Sequence, residues 1–162
     1  MDISFSICSG IEDEYRITLS PFEISLFPDN LKPLLDGIEL TDITLERMKG
    51  TNTTNLTILL KISNIIGEVF EENVNVVLYF YCDDMHDIPR RNTNISPQKF
   101  RSDLFTRMFE RYISMKHKID IVNTPIIIQT EDRDIYIHLI AKNNHMSFVN
   151  TVKSIIADMS VK

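Results

Sequence analysis

Val76-Val77-Leu78-Tyr79-Phe80-Tyr81 is an unbroken apolar and aromatic run, followed at once by the acidic turn Cys82-Asp83-Asp84-Met85-His86-Asp87. A β-branched and aromatic run without polar alternation is the pattern of an interior strand covered on both faces. Upstream, Leu59, Ile62, Ile66, Val69 and Phe70 recur at the spacing of one helix face, and Leu56, Ile58, Leu60 and Ile65 widen that stripe. With the capping residues of the turn 48–54 ahead of it, this predicts a first helix over about residues 53–72. Downstream, a polar loop carries Pro89-Arg90-Arg91, and Ser96-Pro97 then offers an N-cap hydroxyl and a first helical residue with no N–H to leave unpaired. Phe100, Leu104, Phe105, Met108, Tyr112 and Ile113 form the inward stripe of that second helix. Arg101, Arg107 and Arg111 fall on the opposite side, with Asp103 four residues before Arg107.

Further out, Ile3–Ile7 and Tyr15–Leu19 each alternate apolar and polar residues, and Phe22–Phe27 resumes the alternation after Pro21. Ile38–Arg47 alternates more weakly, so the N-terminal region reads as an antiparallel meander of about four strands, with Pro21 at a strand start or bulge. Beyond the second helix, Ile119–Gln129 and Asp134–Lys142 read as two strands, with Pro125 implying a bulge or an edge. A last helix turns Phe148, Val149, Val152, Ile155, Ile156 and Met159 inward. The expected fold is therefore α+β over residues 1–162 as a single domain: a mixed, mostly antiparallel sheet of about seven strands with three helices, in the order ββββαβαββα.

A chain of 162 residues can bury about 70% of the surface its unfolded form exposes, and needs no staple. No apolar run approaches the ~20 residues of a membrane span, and Met1-Asp2-Ile3-Ser4 lacks the features of a signal peptide, so a cytoplasmic setting is expected. Cys8 and Cys82 then read as free buried thiols. The net charge of −6 opposes generic binding to nucleic acid. Charge is nevertheless segregated: residues 1–50 hold ten acids against four bases, and residues 88–118 hold eight bases against two acids.

No catalytic set is legible. Asp83, Asp84, His86 and Asp87 follow the central strand, the end at which open α/β sheets place ligands, but their spacing matches neither a calcium loop nor a zinc site. They read as a solvated acidic turn. Cys82 and His86 lack an identifiable orienting group and oxyanion hole, so Cys82 reads as core. His117, His138 and His145 are isolated and read as structural, and with only four glycines the chain offers no Gly-rich phosphate loop.

Tyr81-Cys82-Asp83, Asp87, then Arg101, Leu104-Phe105, Arg107 and Phe109 in a helix, then Tyr136-Ile137-His138-Leu139-Ile140 and a closing helix, resemble a family of small uncharacterised proteins found mainly in Bacteroidetes. That resemblance covers roughly residues 38–160 and implies a bacterial origin without implying an activity. In the succession of strands, helix, strand, helix and strand pair, the chain also resembles the core of the acetyl-coenzyme A-dependent acetyltransferase superfamily. This second resemblance implies that coenzyme phosphates sit on the turn Lys49, Gly50, Thr51, Asn52 and Thr53, at the start of the first core helix. The leading expectation from the residues is a non-enzymatic binding or regulatory module with no resident cofactor. It would meet a protein partner or a second copy through Arg90, Arg91, Arg101, Arg107 and Arg111; the alternative is an acetyltransferase-like enzyme or a degenerate relative.

Overall fold

Alternation and turn chemistry cut the N-terminal half into three strands. In a computed structural model, which describes residues 3–8, 14–23, 25, 29–49, 56–83, 93–117 and 120–160, β1 (Ile3–Cys8) and β2 (Glu14–Pro21) form an antiparallel hairpin, and β2 pairs antiparallel with β3 (Glu39–Lys49). Tyr15, Ile17 and Leu19 of β2 are buried while Arg16 between them is exposed, the half-buried pattern the alternation predicts. Pro21 ends β2 rather than starting a further strand. The N–H of Phe22 turns back to the carbonyl of Leu40 at 3.0 Å, and its ring meets Tyr79 edge-on with centroids 5.1 Å apart. The apolar side chain that suggested a strand at Phe22–Phe27 thus covers the neighbouring sheet face. Ile24, Leu26 and Phe27 lie outside the described residues. A 3-10 segment over Asp29–Leu35 buries Leu31, and Gly37, at φ 73°, takes the left-handed conformation that a side chain would strain.

The remaining elements are α1 (Leu56–Glu72), β4 (Val76–Tyr81), α2 (Pro97–Lys116), β5 (Ile121–Gln129), β6 (Asp134–Lys142) and α3 (Met146–Ser160). Among the described residues the order is βββαβαββα, one strand fewer than the sequence suggests, in a six-stranded sheet of spatial order β1-β2-β3-β4-β6-β5. The α+β class stands. β3 and β4 are parallel, because α1 carries the chain back across the sheet between them; the other pairings are antiparallel.

β4 lies between β3 and β6 and is buried on both sides, as its unbroken run predicts. Val76, Leu78 and Phe80 join the core under α1 and α2, with Ile17, Ile43, Ile62, Ile66, Phe105 and Phe109. Val77 joins the second core under α3, with Ile137, Leu139, Phe148, Val149 and Val152. β5 is the outer strand, which is where the exposed Pro125 is tolerated.

The start of α2 follows the predicted chemistry. Ser96, at φ −62° and ψ 154°, accepts from the Lys99 N–H at 3.3 Å, and Pro97 opens the helix. Its far end is closed by His117 in the left-handed conformation, whose N–H donates to Ile113. Asp103 pairs with Lys99 at 3.3 Å, one turn back, instead of with Arg107 one turn on. Either neighbour satisfies the i,i+4 spacing, and spacing alone does not choose between them.

α1 approaches α2 at Gly67, where a Cβ would fall 1.8 Å from the Tyr112 hydroxyl. Replacing Gly67 by Ala improves helix propensity by about 1 kcal/mol, but overpacking of this kind costs about 1–3 kcal/mol and leaves the ring no room. Gly67→Ala is expected to lower the urea midpoint at an unchanged slope, and a raised midpoint would show that the two helices separate freely.

Candidate functional site

Five residue pairs, from Glu39–Val76 to Ile43–Phe80, join the parallel strands β3 and β4. That last pair lies one residue before the end of β4, and among the described residues the shared ladder goes no further. β3 stays on β2, with Thr44 opposite Thr18 and Lys49 opposite Glu14. β4 stays on β6, with Tyr81 opposite Ile137, and the Cys82 N–H continues the same ladder by donating to the Tyr136 carbonyl at 2.9 Å. The sheet therefore forks at the carboxyl ends of its two parallel strands, the place where open sheets carry ligands. α2 begins at this end of the sheet beside the start of β6, where Gln98 Nε2 donates to the Asp134 carbonyl at 3.0 Å.

Lys49 stands at the tip of β3, and Gly50, Thr51, Asn52 and Thr53 lie outside the described residues. Asp83 is half-buried just beyond β4, whereas Asp84, His86, Asp87, Arg90 and Arg91 lie outside the described residues. Among the described residues no group of three or more His, Cys, Asp or Glu side chains is gathered as a metal site would require. The basic residues of α2 do not form one face. Arg101 is half-buried and donates from Nη1 to the Asp83 carbonyl at 2.7 Å, so it serves the chain's own backbone. Arg107 and Arg111 are exposed and border a shallow hollow of about 500 Å³ with Leu59, Leu104 and Met108.

The constellation that sequence reasoning misses is a buried polar chain under α2. His138 Nδ1 lies 2.8 Å from Asn123 Oδ1, and His138 Nε2 lies 2.8 Å from the Ser102 hydroxyl. The Asn123 carbonyl oxygen accepts, which puts the ring proton on Nδ1 and leaves Nε2 to accept from Ser102. Phe80 and Phe105 wall the imidazole, with the Phe105 ring centroid 5.0 Å from it. Burial pushes the His138 pKa down to about 4, against a smaller opposing pull from Asp103, and pushes the Cys82 thiol up to about 12. Both groups are neutral near pH 7. Order and distances resemble a Ser-His-Asn triad, yet His138 is 0% and Ser102 5% exposed, so no substrate reaches the hydroxyl. The network fastens α2 to β5 and β6. Two signals could have found it: Ser102 interrupts the apolar face of α2, and His138 shares the inward parity of Tyr136 and Ile140.

On the opposite sheet face, one residue before the last rung of the fork, Asp42 stands in register with Tyr79. Burial raises the pKa of the Asp42 carboxyl; burial first, then Asp42 itself, raises that of the Tyr79 phenol to about 12. A second hollow, of about 540 Å³, opens at the other end of these strands among Phe22, Leu35, Ile38, Leu40, Val69 and Val76. Among the described residues no helix is long and apolar enough to cross a membrane.

Because the unfolded chain protonates His138 near pH 6.5 and the folded chain only near pH 4, the unfolded state binds the extra proton in between. Stability from this group is complete above pH 6.5 and falls by up to about 3 kcal/mol as pH drops to 4. His138→Leu should flatten the pH dependence of the urea-derived stability across this window, whatever its stability at pH 7. Parallel curves for the two proteins would remove His138 from the account.

No protein-family model, no curated protein and no solved structure matches this chain.

Proposed function

We propose that this chain binds acetyl-coenzyme A or a related acyl-coenzyme A in the β3–β4 fork, as an acetyltransferase-like protein. The observation that carries this reading is the parallel ladder that stops at Ile43–Phe80 while β3 stays on β2 and β4 on β6. Where two strands diverge, the backbone groups of β3 that face the gap can bond the amides of a pantetheine arm, as an added strand would. The turn Lys49–Thr53, ahead of α1 in the sequence, is the proposed seat of the pyrophosphate, because a helix start offers N–H groups and a dipole to an anion. The order of strands and helices supports the same reading through its resemblance to the acetyltransferase core, a warrant from fold likeness. The resemblance to uncharacterised Bacteroidetes proteins adds a bacterial origin. In acyl transfer an acceptor nucleophile attacks the thioester carbonyl, its new bond replaces the C–S bond, and coenzyme A leaves as the thiol once the acceptor's proton is passed on. Asp42, half-buried beside the fork, is the carboxylate proposed to take that proton.

A second reading is a non-enzymatic module that meets an acidic protein partner at the hollow between α1 and α2. The exposed Arg107 and Arg111 beside apolar Leu59, Leu104 and Met108 favour it, two cations against the single acid Glu110 in the same lining. Arg101 leaves that proposed surface, since it is engaged with the Asp83 carbonyl.

Thermal unfolding with 1 mM acetyl-coenzyme A separates the two. A ligand at 100 times its Kd adds about 2.7 kcal/mol, or roughly 5–10 °C for a chain of this size. Lys49→Ala with Gly50→Val should abolish that rise without moving the ligand-free midpoint. An unchanged midpoint in the parent protein rejects the coenzyme reading. Loss of an acidic partner on Arg107→Ser with Arg111→Ser would then support the second.

A further inference from the structure

We infer that β5 is a docking edge for a second copy of this chain, the two sheets joining antiparallel about a two-fold axis. Among the described residues β5 ends the sheet, and no strand lies beyond it. The direction of its backbone groups follows from the bonds at its two ends. The Asn143 N–H donates to the Asp120 carbonyl at 2.9 Å, and the Thr130 N–H donates to the Arg133 carbonyl at 3.1 Å. Positions 120 and 130 therefore turn toward β6, and the register between them is unbroken, so every even position of β5 bonds to β6 and every odd one turns away. Pro125 is odd, which is why its missing N–H costs the β5–β6 ladder nothing. Ile121, Asn123, Ile127 and Gln129 keep N–H groups aimed outward from the sheet.

An edge that must stay single commonly carries charged side chains, and Ile121–Gln129 carries none. In a chain of net charge −6, an incoming strand that brings no carboxylate is the one this edge accepts, and β5 of a second copy meets that condition. The charges at its two ends choose the direction. Glu131, Asp132 and Asp134 outnumber Arg133 at the hairpin end, and Lys116 and Lys142 outnumber Asp120 at the other. Antiparallel pairing lays the acidic end of each copy beside the basic end of its partner, whereas parallel pairing sets like ends together. Pro125 chooses the register. An axis through Pro125 would face two proline rings with no N–H between them, while an axis at Ile126 sets Pro125 opposite the partner's Ile127. Each Pro125 carbonyl then accepts from the Ile127 N–H across the axis, and each Ile127, 50% exposed in the single chain, is covered by the exposed Pro125 of the other copy. A two-fold contact closes on itself, so growth at this edge stops at two copies. One strand per copy is a small interface, and the dimer is expected to dissociate at concentrations on the order of micromolar or above.

The test is sedimentation velocity on the full chain from about 1 µM to about 1 mM, a span that brackets weak self-association. The parent protein should shift from monomer to dimer within it. Pro125→Thr returns an outward N–H to each copy without touching the β6 ladder, and should tighten the dimer about tenfold through two added hydrogen bonds. Ile127→Lys sets a charge in the contact and should weaken it about tenfold or more, while its urea midpoint, measured at the dilute end, stays with that of the parent. If Ile127→Lys does not fold, Gln129→Lys, also an exposed position on the outward edge, takes its place. A parent that remains monomeric throughout overturns the inference, whatever Pro125→Thr does. A dimer indifferent to both substitutions overturns it too, since another surface then holds the copies together, and growth past two copies overturns the two-fold geometry and the inference with it.

Discussion

Everything in this fold depends on the burial of β4 from both sides. Val77 and Leu78, neighbours with opposite orientations, are both fully excluded from water, so the sheet needs helices on each face at this strand. Fully burying such side chains is worth about 1.5–3 kcal/mol each, and the gain exists only once α1, α2 and α3 are in place. The parallel pairing with β3 follows, since a strand entered from a crossover helix arrives pointing the same way as the strand before it. Two parallel strands end at the same edge, and that shared edge is what makes a fork possible.

The polar chain from Ser102 to Asn123 is the exception inside this apolar arrangement. A buried imidazole with one nitrogen unpaired would cost about 1–3 kcal/mol, so both nitrogens are matched and the ring is held neutral. In return the network fixes what apolar packing leaves loose. Phe80 and Phe105 stack with centroids 4.2 Å apart, and stacked rings tolerate sliding, whereas the Ser102–His138 bond tolerates almost none. The rotation and height of α2 are thereby set relative to β6, and with them the positions of Arg101 and of the strand exit it grips. Gly67, pressed against Tyr112, then sets how closely α1 lies beside it.

What was legible in the residues was local. The unbroken run of β4, the Ser96-Pro97 start of α2 and the bounds of β6 each rest on period or capping within one segment, and each stands in the structure. What was not legible depends on partners far along the chain. Phe22 looked like a strand residue because a side chain covering Tyr79 and one inside a ladder carry the same apolar mark. Arg101 looked solvated because its acceptor is a backbone carbonyl, and carbonyls leave no trace in composition. His138 looked isolated because its partners sit 15 and 36 residues away. The fork itself is invisible to periodicity, which marks strands and says nothing of where a shared ladder stops.

The fork is tolerated because each half of the sheet is hydrogen-bonded within itself. β1, β2 and β3 form one antiparallel unit, β4, β6 and β5 another, and five rungs join them. Antiparallel ladders are somewhat stronger per residue than parallel ones, so at the junction each strand end stays with its antiparallel partner. Where the shared ladder stops thus follows from how the chain distributes its hydrogen bonds between the two antiparallel units.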